Sequence, residues 1–310
     1  MNIENEIKAL AKQLGFDFCG IAKAGFLDDD ARRLEHWLKQ GYHGTMQYME
    51  NYFDLRTNPE KLVPGAKSVI TVLKNYYPSK NQNAGAPLVS KYAFGIDYHE
   101  IIRPKLTEFL HELRARYGAV QGRGFVDSAP VLERAWAAKS GLGWVGKNGN
   151  LLTKGSGSFF FIACLITDLD LRPGQPILDY CGTCTKCIEA CPTDAILPGR
   201  IIDGSRCLSY LTIEYKPTEF PKAMDLDFAG RIFGCDICQD VCPWNRFSIP
   251  HHEPAFEPKQ ELLEMDWIDW HNMDEEKFRE IFRKSAVKRT RYAGIKRNLA
   301  YLEQSIQKNR

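Results

Sequence analysis

The sequence predicts a chain of mixed α/β (α+β) class that carries a small cysteine-bound module and a short helical tail. Strand and helix patterns alternate from Ile3 to Thr167, eight of the ten cysteines crowd between Cys181 and Cys242, and from Phe278 helix-like sequence carries basic residues on one side. Such alternation builds a sheet covered by helices. Pro173-Gly174-Gln175-Pro176 makes a linker, so the divisions fall at 1–175, 176–250 and 251–310. With 310 residues, 44% hydrophobic and 26% charged, the chain has a globular composition and room for about two domains. It has no apolar run approaching the roughly 20 residues of a membrane span.

Ile3, Ile7, Leu10 and Leu14 recur at helical spacing until Gly15 stops them, and Phe16 to Ala22 follows as a strand with Cys19 as a buried apolar residue. Asp28 to Leu38 is an amphipathic helix, and its Arg32-Arg33 pair lies too deep inside it to be a twin-arginine export signal. Met1 to Glu6 lacks the basic and apolar parts of a signal peptide, so the expected location is the cytoplasm. The turn-rich loop Asp54 to Pro59 leads through Pro64-Gly65 into a strand from Ser68 to Leu73. Asn75 to Pro87 is a surface loop. Tyr98 to Tyr117 is a long helix that tolerates Pro104 near its start, and Gly124 to Asp127 is a strand. A helix starting at Ser128-Ala129-Pro130 carries Glu133, Arg134 and Trp136 and closes at Gly141. Ser158 to Thr167 is a buried strand with Cys164 packed inside it.

The cysteine spacing has few chemical uses. Cys181-Gly-Thr-Cys184-Thr-Lys-Cys187-Ile-Glu-Ala-Cys191-Pro192 is the C-x2-C-x2-C-x3-C-P run that holds [4Fe-4S] clusters in bacterial ferredoxins. Cys235-Asp-Ile-Cys238-Gln-Asp-Val-Cys242-Pro243 repeats it without the first cysteine, a place Cys207 can fill. In two-cluster ferredoxins the cysteine before the proline serves the other cluster. The expected sets are therefore Cys181, Cys184, Cys187 and Cys242 for one cluster, and Cys207, Cys235, Cys238 and Cys191 for the other. Paired zinc sites would use the C-x2-C pairs equally well, but they give no reason for the third cysteine or for the prolines. A reducing cell interior disfavours disulfides.

Gly141-Leu-Gly143-Trp-Val-Gly146 matches G-x-G-x-x-G, with Asp168 downstream as a ribose ligand. A dinucleotide site needs a strand before this motif and a helix after it. Here a helix precedes and strand-like Asn150 to Thr153 follows, which excludes a nicotinamide site. Charge is unevenly spread: between Lys277 and Arg310 eleven Lys or Arg face two Glu, a net +9 that leaves −7 for the rest of a chain of net +2. Lys284, Lys288, Arg289, Arg291, Lys296 and Arg297, interleaved with Tyr292, have the composition of an RNA contact, because phosphates set affinity and aromatics stack on unpaired bases. The plainer alternative is a solvated helix face.

Val126 to Arg134, Gly141 to Asn148 and both cysteine blocks, together with Arg56, Pro64 to Ser68, Gly95 to His99 and Lys288 to Asn298, resemble the epoxyqueuosine reductases over nearly the whole chain. The resemblance implies a cobalamin-binding domain similar to that of reductive dehalogenases, joined to a ferredoxin-like domain with two [4Fe-4S] clusters. It implies reduction of the epoxide of epoxyqueuosine, at the wobble position of a tRNA anticodon, to the cyclopentene of queuosine, the last step of queuosine biosynthesis. The expected partners are that tRNA and a low-potential electron donor; the protein is expected to be a monomer without membrane contact. Some members carry a C-terminal helical-repeat extension, and this sequence stops at Arg310 without one. Asp97-Tyr98-His99 begins the cobalamin signature D-x-H-x-x-G, but Ile102 breaks it. No histidine is therefore expected on cobalt, in keeping with the base-off cobalamin of the family.

On the same resemblance Asp127 is the expected proton donor. A carboxyl donates near neutral pH only when burial raises its pKa, and Asp127 ends an apolar strand where a corrin face would strip away water. The alternative is that Asp127 caps the helix beginning at Ser128. Arg56, Tyr98, Lys147, Asn148, Leu151 and Ser209 are expected to join it in binding the cofactor, against the plainer readings of Arg56 and Lys147 as solvated charges and of Tyr98 and Asn148 as parts of a helix start and a turn. Glu133 and Arg134 read as a helix-surface pair or a structural contact rather than catalytic groups. Two other functions share many of these features: a dehalogenase-like small-molecule reductase, which has no need of a basic tail, and a non-catalytic carrier with two clusters.

Overall fold

The computed structural model describes residues 2–221 and 224–308. At its centre lies a four-stranded sheet in the order Phe18–Lys23, Ser68–Asn75, Phe160–Thr167, Gly122–Phe125, antiparallel throughout. The expected alternation thus resolves to an α+β arrangement. Ser68–Asn75 is buried along its whole length, because successive side chains of a strand face opposite sides and both sides are covered. Ile70 and Val72 join Ile7, Leu106 and Phe109, from helices Ile3–Gln13 and Tyr98–Tyr117, in one core. Val69 joins Phe125, Trp136 and Cys164 in another, beneath helix Glu133–Lys139.

Asp97 caps the long helix, its carboxylate accepting the His99 N–H at 3.0 Å; the helix runs through Pro104 and ends at Gly118, φ 85°. The helix expected from Ser128 starts later, at Glu133, with Leu132 in the cap position. Asp127 has the left-handed φ of 53°, and Pro130 keeps Ala129 out of helical conformation. Asp127 is therefore a loop residue and not the cap. The glycine motif serves the hairpin of Trp144–Val145 with Leu151–Leu152, where a Cβ on Gly143 would meet the Leu152 carbonyl oxygen at 2.1 Å.

A further core joins three distant stretches: Val89, Ala93 and Phe94; Leu208, Leu211, Phe228, Ile232 and Phe233; and Trp270, Phe278, Phe282, Val287, Ile295 and Leu299. The basic tail forms its outer wall. Its helix breaks between Glu275–Ile281 and Arg291–Lys308, where Lys284 takes φ 61° and Ser285 caps a new turn. No helix among the described residues is long and apolar enough to cross a membrane.

Arg297 corrects the expectation of an RNA contact. It is buried; Nη1 donates to the carbonyls of Tyr215 and Pro217 at 2.6 and 2.9 Å, Nη2 donates to that of Leu211 at 3.1 Å, and the guanidinium lies 4.6 Å from the Phe220 ring centre. Asn298 Nδ2 donates to the carbonyls of Thr212 and Ile232 at 2.9 and 2.8 Å. The reason is local. Tyr210–Glu214 winds as a π-helical turn capped by Tyr215, and the Leu211 carbonyl within it and the Tyr215 and Pro217 carbonyls after it need partners. Removing Arg297 would strand several of them, and a hydrogen bond from a charged donor is worth about 1.5–3 kcal/mol. Arg297→Ala is expected to lower the thermal midpoint by the equivalent of at least one such bond while leaving the salt dependence of polyanion binding unchanged, as read by calorimetry and a salt titration.

Candidate active site

A cavity of about 2030 Å³ is walled by residues of both the sheet domain and the cysteine module. That is at least about twice the size of an ordinary small-molecule pocket. Arg56, Tyr98, His99, Asp127, Glu133 and Asn148 line it from the first, and Cys191, Cys207, Ser209, Cys235 and Cys238 from the second.

Asp127 follows the buried Val126, just beyond the end of strand Gly122–Phe125, and its backbone N–H donates to Glu133 Oε1 at 3.0 Å, which holds the left-handed turn. Arg103 fastens the next residue by donating to Ser128 Oγ at 2.6 Å. The Asp127 carboxylate reaches His99: Oδ2 lies 3.4 Å from Nε2, within ion-pair distance though not aligned as a hydrogen bond. The other ring nitrogen, Nδ1, is 2.7 Å from Asp97 Oδ1. Tyr98 stacks between His99 and Phe161, each ring 4.2 Å away.

Electrostatics departs from expectation at Asp127. Burial pushes its carboxyl up, but the neighbouring His99 and Tyr98 and the charge of Arg289 outweigh this and hold it below the ordinary carboxylate value. The expected upward shift falls on its neighbours. Burial lowers His99, yet Asp127 and Asp97 on either side carry it up to about 9. Glu133 is pushed up to about 7 by burial, with the Asp127 charge adding to it. Near neutral pH His99 is thus the protonated member of the line Asp97–His99–Asp127.

Cys181, Cys184, Cys187 and Cys242 line a separate cavity of about 210 Å³, while Cys191, Cys207, Cys235 and Cys238 line the large one. Burial raises Cys187, and the charges of Cys242, Cys181 and Cys184 add to it. In the other group burial raises Cys207, Cys235 and Cys238; Cys191 adds to Cys207, Cys207 adds to Cys235, and both Cys235 and Cys207 add to Cys238. Among the described residues no three His, Cys, Asp or Glu converge as a single ion requires. N–H groups approach the sulfurs, with Trp144 Nε1 3.5 Å from Cys181 Sγ and the Ala195 backbone nitrogen 3.3 Å from Cys191 Sγ.

Several expected site residues lie elsewhere. Lys147 is drawn to the small cavity, its Nζ donating to the carbonyls of Gly182 and Cys184, both at 2.8 Å. Leu151 packs with Leu73, Ala137 and Leu142, because the hairpin turns Leu152 and not Leu151 toward a cavity. Asn148 borders both cavities and donates to the Cys238 carbonyl at 3.1 Å. Arg56 is held on the large cavity by the carbonyls of Tyr48 and Asn51, at 2.7 and 3.4 Å. Of the basic tail, Lys284, Lys288 and Arg289 line the large cavity. Arg289 is already engaged by both oxygens of Glu214, Lys296 donates to the His271 carbonyl at 2.7 Å, and Arg291 is exposed.

Residues 56–128 match the family described as epoxyqueuosine reductase QueG, DUF1730, and residues 180–245 match the 4Fe-4S double cluster binding domain. An epoxyqueuosine reductase of Cellulophaga algicola is 56% identical over 297 residues, 96% of this chain and 97% of its own. This chain belongs to the epoxyqueuosine reductase family. A solved epoxyqueuosine reductase with a tRNA-Tyr epoxyqueuosine-modified stem loop matches with a TM-score of 0.89 at 29% identity, over 98% of this chain and 82% of that one. The reductive dehalogenase NpRdhA shares the fold, with a TM-score of 0.51 at 18% identity over 97% of this chain and 36% of its own, as the expected fold class requires.

For an epoxyqueuosine reductase, one residue of this cavity, His99, goes beyond the sequence expectation, which stops at the broken cobalamin signature, whereas Glu133 makes the structural contact expected as one of its two readings, to the Asp127 N–H. A histidine two residues after a helix-capping aspartate is a usable signal for the first, since Asp97 reaches both the backbone and the ring of His99. The grouping of thiols makes Cys207→Ala selective: the variant is expected to keep about half its iron, the share of one cluster of two, by iron analysis and electron paramagnetic resonance.

Proposed function

We propose that this chain reduces epoxyqueuosine in tRNA to queuosine, using two [4Fe-4S] clusters and a cobalamin bound in the large cavity. One observation carries the reading: a thiol quartet and a carboxylate–imidazole proton store meet on the same cavity wall. Deoxygenating an epoxide takes two electrons and two protons, breaks both C–O bonds, forms the C=C bond and releases water. Electrons and protons must therefore arrive at one place. Cys181, Cys184, Cys187 and Cys242 hold the first cluster, and Cys191, Cys207, Cys235 and Cys238 the second, beside the substrate. Residues 1–175, 176–250 and 251–310 divide the work between catalysis, electron relay and RNA contact.

Bound cobalamin supplies strongly reducing electrons to the epoxide. Arg56, Tyr98, Asn148 and Ser209 offer polar groups to its rim, and the two ring nitrogens of His99 face Asp97 and Asp127, which supports a base-off cofactor without a histidine on cobalt. Asp97 on Nδ1 keeps Nε2 turned toward Asp127. His99 and Asp127 share one proton at neutral pH. Filling the cavity removes the water that solvates this ion pair, and desolvation favours the neutral form, with the proton on Asp127 and available to the epoxide oxygen. Lys284, Lys288 and Arg291 supply charge for the anticodon phosphates. The chain acts as a monomer in the cytoplasm.

Anaerobic reconstitution with iron, sulfide and cobalamin, followed by mass analysis of nucleosides from epoxyqueuosine-containing tRNA, tests the reading; tRNA left unreduced by fully loaded protein would sink it. Asp127→Asn should fold and bind its cofactors yet lose about 10²- to 10⁴-fold in rate. The pH profile has a definite sign. The shared proton is present below the raised value of His99 and lost above it, so kcat/KM is expected to hold through neutrality and fall near pH 9. In His99→Gln only a carboxyl remains, and the fall should move into the acidic range. For RNA, Lys284→Ala with Lys288→Ala is expected to flatten the slope of log affinity against log salt by about 1.5, two phosphate contacts' worth.

A further inference from the structure

Electrons must enter the protein at some face, and the second thiol group opens on the cavity that admits substrate. The first group lies apart from it, in the small cavity walled by Tyr180, Trp244 and Arg246. These belong to an aromatic patch. Trp144, Tyr180 and Trp244 pack with ring centres 5.1 to 5.9 Å apart, and Trp244 continues to Phe247 at 6.1 Å. Tyr180 and Phe247 are 41% and 38% exposed, and nearby in the chain Leu178 and Ile249 are 77% and 68% exposed. Such exposure of large apolar side chains together marks a contact surface. Cations complete it: Lys154 lies 5.0 Å from the centre of the Tyr180 ring, Arg246 lies 4.5 Å from that of Phe247, and the nearest acid in sequence, Asp179, is neutralised by Arg200.

We propose that this face docks a small acidic electron-transfer protein, which delivers electrons across the Tyr180–Trp244 layer to the cluster held by Cys181, Cys184, Cys187 and Cys242. The proposal rests on the two-cluster reading above. An apolar, aromatic centre bordered by cations has the composition of an interface core, and its charge calls for an anionic partner. Each encounter oxidises the partner by one electron and reduces the chain by one, so two encounters supply the pair consumed per epoxide. An RNA is the less suitable occupant, because cations already cover the Tyr180 and Phe247 faces on which bases would stack, whereas Lys284 and Lys288 line the other cavity.

The test uses the reconstituted protein and the variant Lys154→Glu/Arg246→Glu, both with iron content and cluster absorption verified. Reduced flavodoxin, an acidic flavoprotein, serves as the probe, and its oxidation is followed at the flavin absorption in low and high salt. Reduction by dithionite and binding of a tRNA stem loop are measured in parallel. The unmodified protein is expected to oxidise flavodoxin faster at low salt, and the variant to do so at least about tenfold more slowly and with little salt dependence. Dithionite reduction and stem-loop affinity should be unchanged. A variant as fast as the parent, a parent rate indifferent to salt, equal slowing with dithionite, or a loss confined to stem-loop affinity would each overturn the docking face. Failure of the unmodified protein to hold eight irons' worth of two clusters, about four each, would instead strike the two-cluster reading.

Discussion

Each cysteine run yields its last thiol to the other's group, and most of the architecture follows from that exchange. Cys242 lines the small cavity with Cys181, Cys184 and Cys187, while Cys191 faces the large one with Cys207, Cys235 and Cys238. Neither loop can complete its group alone. Cys207 and Cys235 stand at the two ends of the excursion that carries the π-helical turn, so their positions depend on how that excursion packs. It packs against the tail: Asn298 ties Thr212 to Ile232, and Thr212 Oγ1 in turn accepts the Gly234 N–H at 2.9 Å. From the opposite side Asp236 is held by Ser90 Oγ and by the Lys91 N–H at 2.8 Å.

The acid network is under a different constraint. A carboxylate beside a cationic partner is a poor acid by itself, and Asp127 lies 3.4 Å from His99 Nε2. For the proton transfer proposed above, what matters is that this partner carries the proton and that their environment changes when the cavity fills. Glu133 fixes the loop rather than the chemistry, by accepting the backbone N–H of Asp127.

Features written in short-range pattern were legible from the sequence. The sheet strands follow from apolar runs bounded by turns, and both thiol groups follow from spacing. What escaped depends on contacts between residues far apart in the chain. A count of charges cannot show that Arg297 turns inward, because the carbonyls that recruit it lie in and just after a π-helical turn about 80 residues earlier. Lys147 lies at the small cavity for the same reason, its partners Gly182 and Cys184 lying in the cysteine module. Leu151 turns into the core because alternation along a strand puts it on the face opposite Leu152. The partial charge of Asp127 required its neighbours in space, and only His99 and Tyr98 among them adjoin one another in sequence.

The position of Cys191, Cys207, Cys235 and Cys238 on the large cavity has a consequence for survival in air. On the two-cluster reading proposed above, a cluster bound there faces the mouth of that cavity, so whatever fills the cavity also limits the access of dioxygen to its sulfurs and iron.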